Sequence, residues 1–184
     1  MRLFTGIPIS PQVRNNLDKL LRELRPAADL RWSRAGNLHI TTKFIGEYPE
    51  ENLPDLTAAL DAIPPVGKIE VAIRGLGWFP NPHSPRVFWT GIEAPPALAE
   101  LARATDQALA RLGVPPEARK FSPHLTLARV NPGARLIALQ QAVAALPSAE
   151  FGKYTADHFH LYLSELGPGG AKYTRLADFP LDRA

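Results

Sequence analysis

Two stretches of this sequence decide its fold: residues 37–47, NLHITTKFIGE, and residues 121–129, FSPHLTLAR. Each contains a His-x-Thr motif, and the second histidine follows the first by 85 positions (124 − 39 = 85). The same offset relates Thr-Gly-Ile at residues 5–7 to Thr-Gly-Ile at residues 90–92. Two separate matches at the same offset rarely arise by chance, so they indicate that the chain contains an internal duplication.

The patterns between the motifs repeat as well. Ser-Pro at residues 10–11 and Pro-Pro at residues 95–96 each precede leucines at helical spacing, and a second apolar helical stripe follows each His-x-Thr motif. Apolar residues alternate with other residues at 69–73 and 159–163, which is typical of strands. Each half therefore reads strand, helix, strand, helix, strand, and the proline-rich segment at residues 80–85 joins the halves. We predict two packed lobes.

A single domain accommodates this duplication. We assign residues 1–184 to one bilobal domain, with repeat halves of approximately 1–80 and 85–178. The length of 184 residues is ordinary for one domain, and no apolar run reaches the ~20 residues of a membrane span.

Composition narrows the chemistry. The chain has no cysteine, which excludes disulfides, thiolate zinc sites and cysteine nucleophiles. Its formal net charge of +3 permits an anionic ligand without demanding one. No signal peptide is visible at the start. We expect a cytoplasmic monomer that does not bind membranes.

The two motifs carry the chemistry. On a strand, residues i and i+2 point to the same face, so His39 projects with Thr41 and His124 projects with Thr126. If the halves face each other, one cleft holds two imidazoles and two hydroxyls. An imidazole with a reference pKa of ~6.5 can act as either acid or base near neutral pH. We therefore predict that His39 and His124 are catalytic in phosphodiester hydrolysis, while Thr41 and Thr126 bind the phosphate.

We expect neither a metal nor another cofactor. No cluster of Asp, Glu and His accompanies the motifs. His158 and His160 share a strand face, but no third ligand is evident, so a polar strand face is the favoured interpretation. A lone His-x-Thr motif is usually structural; two copies in register favour catalysis instead, because burying unpaired polar groups is costly.

At these residues the sequence resembles the two-histidine phosphoesterase superfamily, and within it the RNA 2′,3′-cyclic phosphodiesterases, also called RNA 2′-5′ ligases. The resemblance spans essentially the whole chain. It implies an α+β fold with a pseudo-twofold duplication, in which two antiparallel sheets line a central cleft and helices lie outside. It also implies metal-independent hydrolysis of RNA 2′,3′-cyclic phosphate ends to 2′-phosphomonoesters, and a weak reverse ligation that needs no ATP. The expected partners are RNA ends or nucleoside 2′,3′-cyclic phosphates.

The resemblance adds two residues to the site. Arg129 would bind the phosphate, and Phe44 would stack on a base. Each lies five positions after a motif histidine and would face away from it on an ideal strand, so both require a strand end or a bulge. Thr42 stands where an aliphatic residue is more usual, and it should face away from the cleft. Lys43 shares the parity of His39, so a place at the cleft rim is one option and a solvated surface position the other.

Several alternatives remain open from the sequence. The chain could act on 2′-5′ oligonucleotides or on an ADP-ribose cyclic phosphate, or it could be an RNA-binding module without turnover. The near-symmetry of the motifs leaves open which histidine is base and which is acid. We favour His124 as the base that activates water and His39 as the acid.

Overall fold

The computed structural model describes residues 1–183, which form an α+β fold of two antiparallel sheets with helices outside. The strands are β1 (Arg2–Pro8), β2 (Arg31–Trp32), β3 (His39–Glu47), β4 (Ile69–Phe79), β5 (Val87–Glu93), β6 (His124–Arg129), β7 (Glu150–Ala156), β8 (His158–Gly167) and β9 (Gly170–Pro180). The α-helices are α1 (Pro11–Leu24), α2 (Leu53–Asp61), α3 (Pro96–Ala110) and α4 (Ile137–Ala144). Three short 3₁₀ helices lie at Arg25–Ala27, Ala35–Asn37 and Glu50–Asn52.

The strand order displays the duplication. One sheet runs β3-β1-β8-β9, and the other runs β2-β6-β5-β4-β7. In each sheet a His-x-Thr strand pairs with the first strand of its own half, and that first strand pairs in turn with a strand from the other half. The halves have thus exchanged strands, β4 for β8, and each lobe is built from both. The predicted fold class is confirmed.

The proline-rich join lies inside one sheet. Phe79 of β4 pairs with Val87 of β5, so residues 80–86 form a hairpin turn within the five-stranded sheet. The segment that joins the two repeat halves of the sequence therefore lies within one lobe and does not connect the two lobes. The lobes are held together instead by the exchanged strands and by the apolar layers that they share.

Helix α1 follows directly from its sequence. The Ser10 hydroxyl accepts a hydrogen bond from the Val13 N–H at 3.2 Å, and Pro11 occupies the first helical position. The apolar stripe of the helix is buried, with Leu17 and Leu21 at 0% exposure. Helix α1 packs on β7 of the five-stranded sheet and α4 packs beside α1, while α3 packs on β3 and α2 on β9 of the four-stranded sheet. Among residues 1–183, no helix is long and apolar enough to cross a membrane.

The sequence patterns did not predict strands β2 and β7, and two further elements differ in length from the sequence-based prediction. The patterns missed β2 because it has only two residues, and β7 because its polar and apolar residues follow no long alternation. For the last strand, the sequence predicts only a short segment around residues 173–176 after the Gly-Gly turn at residues 169–170, whereas the strand runs over Gly170–Pro180. Helix α4 is shorter than its apolar stripe, which extends from Leu136 to Leu146.

Candidate active site

A single cleft brings both motifs together. Its volume is about 450 Å³, and both histidines and both threonines of the His-x-Thr motifs line it. The remaining lining residues come from residues 32–38, from residues 122–123 just before β6, from the end of β6, and from the β8–β9 turn and the start of β9. The cleft therefore holds the two imidazoles and two hydroxyls that the motifs predict.

Each motif strand carries a β-bulge three residues after its histidine. In β3 the extra residue is Thr42, because Thr41 and Lys43 pair with consecutive residues of β1. In β6 the extra residue is Leu127, which is the equivalent position of the repeat. Each extra residue and the one after it are buried side by side, and this reverses the alternation of side chains further along the strand. The bulge thus returns residues at i+5 to the face of the histidine.

Backbone and ring contacts orient His39. Its Nδ1–H donates to the carbonyl oxygen of Asn37 at 2.8 Å, and the hydroxyl of Thr41 donates to Nε2 at 2.9 Å. The Phe4 ring stacks on the imidazole at 4.5 Å, and the Tyr173 ring meets it edge-on at 5.1 Å. Burial lowers the pKa of His39 below its usual value, although the hydrogen bond to Asn37 partly opposes this. His39 therefore favours the neutral form, with Nε2 facing the cleft.

His124 has the same backbone support but a more open setting. Its Nδ1–H donates to the carbonyl oxygen of Ser122 at 3.1 Å, again two residues upstream. The repeat equivalent of Phe4 is Trp89, whose ring lies across Gly77: a Cβ on that glycine would be 2.1 Å from the indole. That ring therefore covers a neighbouring strand, and the side chain of His124 is exposed. The two imidazoles are alike in orientation and unlike in solvation.

The residues five positions after the histidines take different places. Arg129 is exposed and lines the cleft at the end of β6, as expected. Phe44 is 51% exposed, and the guanidinium of Arg2 lies 5.3 Å from its ring centroid. Phe44 does not line the cleft itself, so its role in stacking on a base stays a prediction.

Lys43 lies in the interior of the protein. The two positions expected from the sequence, at the cleft rim or on the solvated surface, are therefore both wrong. Its side chain is 3% exposed, and Nζ donates to Asp106 at 2.6 Å and to the carbonyl of Pro115 at 2.8 Å. The bulge at Thr42 turns it away from His39. Thr42 faces inward as predicted, where its hydroxyl shares a 2.7 Å hydrogen bond with a buried threonine of β1.

A comparison with protein-family models matches each half of the duplication separately. The model of the "LigT like Phosphoesterase" family matches residues 7–89 and again residues 92–173, and the two matches begin 85 positions apart. The chain belongs to the LigT-like phosphoesterase family. This confirms the predicted family and the prediction of a phosphoesterase.

Relatives of the same family match nearly full length. An RNA 2′,3′-cyclic phosphodiesterase from Methanothermobacter thermautotrophicus is 32% identical, over 98% of this chain and 99% of its own. The enzyme of that name from Thermus thermophilus is 34% identical, over 98% and 90%. The crystal structure of a Thermus thermophilus protein superposes with a TM-score of 0.81 at 33% identity, covering 98% of both chains. E. coli LigT complexed with 3′-AMP gives 0.80 at 26% identity, covering 99% and 98%.

Three residues that line the cleft lie outside the His-x-Thr motifs and were not predicted as site residues. Arg34, Asn37 and Tyr173 line it, although no repeated motif contains them. Asn37 does two tasks, since its carbonyl holds His39 and its amide donates to the carbonyl of Ala171 at 2.9 Å, at the start of β9. The adjacency of residues 34–37 to the first motif was the only available signal.

The electrostatics of the cleft are one-sided. Arg34 and Arg129 line it, and no described lining residue is an Asp or Glu. Within residues 1–183, no carboxylate lies within 4.0 Å of either guanidinium, and no group of three or more His, Asp or Glu side chains is arranged to hold a metal. A cleft of this charge attracts anions.

Proposed function

We propose that this protein hydrolyses RNA 2′,3′-cyclic phosphate ends to 2′-phosphomonoesters by two-histidine acid–base catalysis without a metal. One observation carries the proposal: His39 and His124 line one cleft, each with Nδ1–H bound to a carbonyl, which makes Nε2 the nitrogen for proton transfer. In His39 this nitrogen contacts the hydroxyl of Thr41, which is itself one of the phosphate-binding groups. This arrangement supplies two proton-transfer groups beside a pair of hydroxyls and an arginine. The names of the full-length relatives support the substrate class.

The reaction balances with water alone. The water oxygen bonds to phosphorus while its proton passes to the base, and the P–O3′ bond breaks as the acid protonates the 3′ oxygen. The product carries a phosphomonoester on the 2′ oxygen and a free 3′ hydroxyl. Each proton transfer contributes about 10²–10⁴-fold. After product release, proton exchange with water restores both imidazoles.

We assign the base to His124 and the acid to His39. The exposed imidazole of His124 is open to the attacking water, whereas His39 is half-buried, with Phe4 stacked on its ring and Tyr173 edge-on to it. Burial lowers the pKa of His39, which makes its imidazolium a stronger acid toward the departing oxygen. The negative charge of the bound phosphate favours that protonated form.

The threonines and Arg129 stabilise the developing charge. Thr41 and Thr126 line the cleft on the same faces as the histidines, where their hydroxyls can donate to non-bridging phosphate oxygens. The guanidinium of Arg129 adds a fixed positive charge. Because these groups supply both charge stabilisation and proton transfer, no metal is required.

The same residues support the reverse ligation. If the 5′ hydroxyl of a second RNA takes the place of water, its oxygen bonds to the same phosphorus and its proton passes to the base. The P–O3′ bond breaks as before, which leaves a 2′-5′ phosphodiester. The energy of the strained cyclic phosphate drives the step, so no ATP is consumed.

The first experiment is hydrolysis of a short RNA ending in a 2′,3′-cyclic phosphate, in excess EDTA. Wild type should give the 2′-phosphate, whereas His39→Ala and His124→Ala should each lose about 10²–10⁴-fold in kcat. His83→Ala removes an imidazole from an exposed loop outside the cleft and serves as the matched control. Circular dichroism establishes that each variant is folded.

The product discriminates among the alternatives. A 3′-phosphate would overturn the stated bond cleavage, and activity lost in EDTA would overturn the metal-free mechanism. Folded wild type with no turnover of this RNA, but with turnover of a 2′-5′ oligonucleotide or an ADP-ribose cyclic phosphate, would reassign the substrate. RNA binding that survives the loss of both histidines, without any turnover, would indicate a binding module.

A sulfur substitution tests the assignment of acid and base. A substrate with sulfur in place of the 3′ oxygen has a leaving group that needs no proton. This substrate should restore the activity of His39→Ala and leave His124→Ala inactive, because only the base is still required. Restoration of His124→Ala instead would reverse the assignment.

A further inference from the structure

Arg34 is the second permanent cation of the cleft and has no part in the reaction described above. It lies between β2 and the 3₁₀ helix Ala35–Asn37, five residues before His39. Its carbonyl accepts the N–H of Asn37 at 2.9 Å, and Asn37 in turn holds the imidazole of His39. The backbone of Arg34 therefore belongs to the turn that supports the first histidine.

The guanidinium of Arg34 lies against the β8–β9 turn. A Cβ built on Gly169 would be 3.2 Å from one terminal nitrogen of Arg34 and 3.8 Å from the other, so the guanidinium packs on the bare backbone of that glycine. The turn belongs to the four-stranded sheet. Arg129 stands on the five-stranded sheet, where it pairs with Arg31 of β2. The guanidinium of Arg34 thus packs on a turn of the four-stranded sheet, whereas Arg129 stands on β6 of the five-stranded sheet.

The charges exceed what one cyclic phosphate can neutralise. A 2′,3′-cyclic phosphate is a diester with a single negative charge, whereas the cleft presents two guanidiniums that stay protonated at any physiological pH. No described lining residue is acidic, and no carboxylate of residues 1–183 lies within 4.0 Å of Arg34. An occupant with two phosphates, one for each arginine, matches this charge.

We propose that Arg34 binds the internucleotide phosphate next to the cyclic phosphate, so that the protein prefers oligonucleotide ends to single nucleoside cyclic phosphates. The inference rests on the proposed function. The phosphate of the preceding linkage is the second anion that every RNA end brings into the cleft, whatever its base sequence. Arg34 is accordingly a specificity-determining residue that selects chain ends by charge.

The test compares three substrates that share one reacting group. They are a nucleoside 2′,3′-cyclic phosphate, a dinucleotide ending in that group, and the same dinucleotide with a neutral methylphosphonate linkage. Wild type should show a higher kcat/KM on the natural dinucleotide than on the other two, by roughly 10- to 100-fold for one charge-assisted contact. Arg34→Gln should lose this preference, so that its loss of kcat/KM is largest on the natural dinucleotide.

Two further variants distinguish the guanidinium contact of Arg34 from the mere loss of one positive charge. Arg34→Lys keeps the charge without the fork of the guanidinium and should retain part of the preference. Arg119→Gln removes the same charge from an exposed loop outside the cleft and should change none of the three rates. The salt dependence of log kcat/KM on the dinucleotide should weaken by about 0.7 in Arg34→Gln, as expected for one lost phosphate contact on a single strand.

The outcomes distinguish the inference from the proposed function. If wild type hydrolyses none of the substrates, the proposed function fails. If it hydrolyses them without preference for the charged linkage, or if Arg34→Gln keeps that preference, the inference is overturned while the function stands. An equal loss on all three substrates would also overturn it, because Arg34 would then act on the cyclic phosphate or on the position of His39.

Discussion

Gly6→Ala should damage the active site although Gly6 is not a catalytic residue. Gly6 belongs to the repeated Thr-Gly-Ile segment of β1 and pairs with Thr41 across β3. A Cβ at this position would lie 2.8 Å from the carbonyl oxygen of Ile40 and 3.3 Å from Cδ2 of His39. Neither contact is relieved by rotating a flexible side-chain end, since one atom is backbone and the other belongs to a packed ring.

The magnitude follows from the size of the overlap. Ordinary contacts begin near 3.4 Å, so strand β3 must move away from Gly6 by several tenths of an ångström. Overpacking of this kind costs about 1–3 kcal/mol of unfolding free energy. A misplacement of 1 Å in an active site can cost about 10²-fold, so a shift of about half that size should lower kcat roughly 10-fold.

Gly91→Ala is the matched control, because it is the same repeat position in the other sheet. Its Cβ would lie 2.6 Å from the carbonyl oxygen of Arg74, and the next atom, in the Trp89 ring, is 3.6 Å away. Gly91 pairs with His124, but the atoms nearest to its added Cβ belong to Arg74 and Trp89, so Gly91→Ala should lose comparable stability without pressing on an imidazole ring. Urea unfolding gives the stability of both variants, and kcat on a cyclic phosphate substrate is measured where both are folded.

Two results would refute this reasoning. If Gly6→Ala is as destabilised as predicted but turns over like wild type, the position of His39 does not depend on the close approach of β1. If Gly91→Ala loses as much kcat as Gly6→Ala, the loss reflects general weakening of the sheets rather than contact with the imidazole.

Three further predictions concern stability. Asp106→Ala should cost about 3 kcal/mol of unfolding free energy in urea and leave kcat unchanged, because the buried ammonium of Lys43 loses its nearest carboxylate and keeps only the Pro115 carbonyl and, at 3.8 Å, Glu117. Lys43→Met should cost less, and a large kcat loss in either variant would contradict the inward position of Lys43. Burial lowers the pKa of His160, so the unfolded chain binds that proton more tightly and stability should fall as the pH drops below about 6.5. His160→Gln should reduce this dependence, and part should remain because burial also lowers the pKa of His39. Ser10→Ala should cost about 1 kcal/mol through loss of the helix N-cap, and an unchanged midpoint would contradict it.

The reach of sequence reasoning is clearest at the two motifs. The shared offset of 85 positions and the period of a strand were enough to predict that His39, Thr41, His124 and Thr126 meet in one cleft. Both signals are local: parity places a histidine and a threonine on one face, and a duplication implies that the two faces are equivalent. The helices were equally accessible, since a proline start and an apolar stripe specify α1 without reference to the rest of the chain.

The positions of Lys43 and Arg34 could not be predicted from local sequence patterns. A bulge depends on which N–H and C=O groups pair across two strands, so no one-strand pattern showed that Thr42 is the extra residue and that Lys43 turns inward. Arg34 enters the site because the β8–β9 turn, more than a hundred residues away, packs against it.

The sequence by itself determined the duplication, the helices and the four groups of the two His-x-Thr motifs, because these depend on periods of two, of 3.6 and of one repeat. Only the tertiary structure decided the exchange of β4 and β8 between lobes, the bulges and the unequal burial of His39 and His124. These depend on hydrogen-bond register and on which side chains cover which, and both are fixed by contacts between residues far apart in the chain.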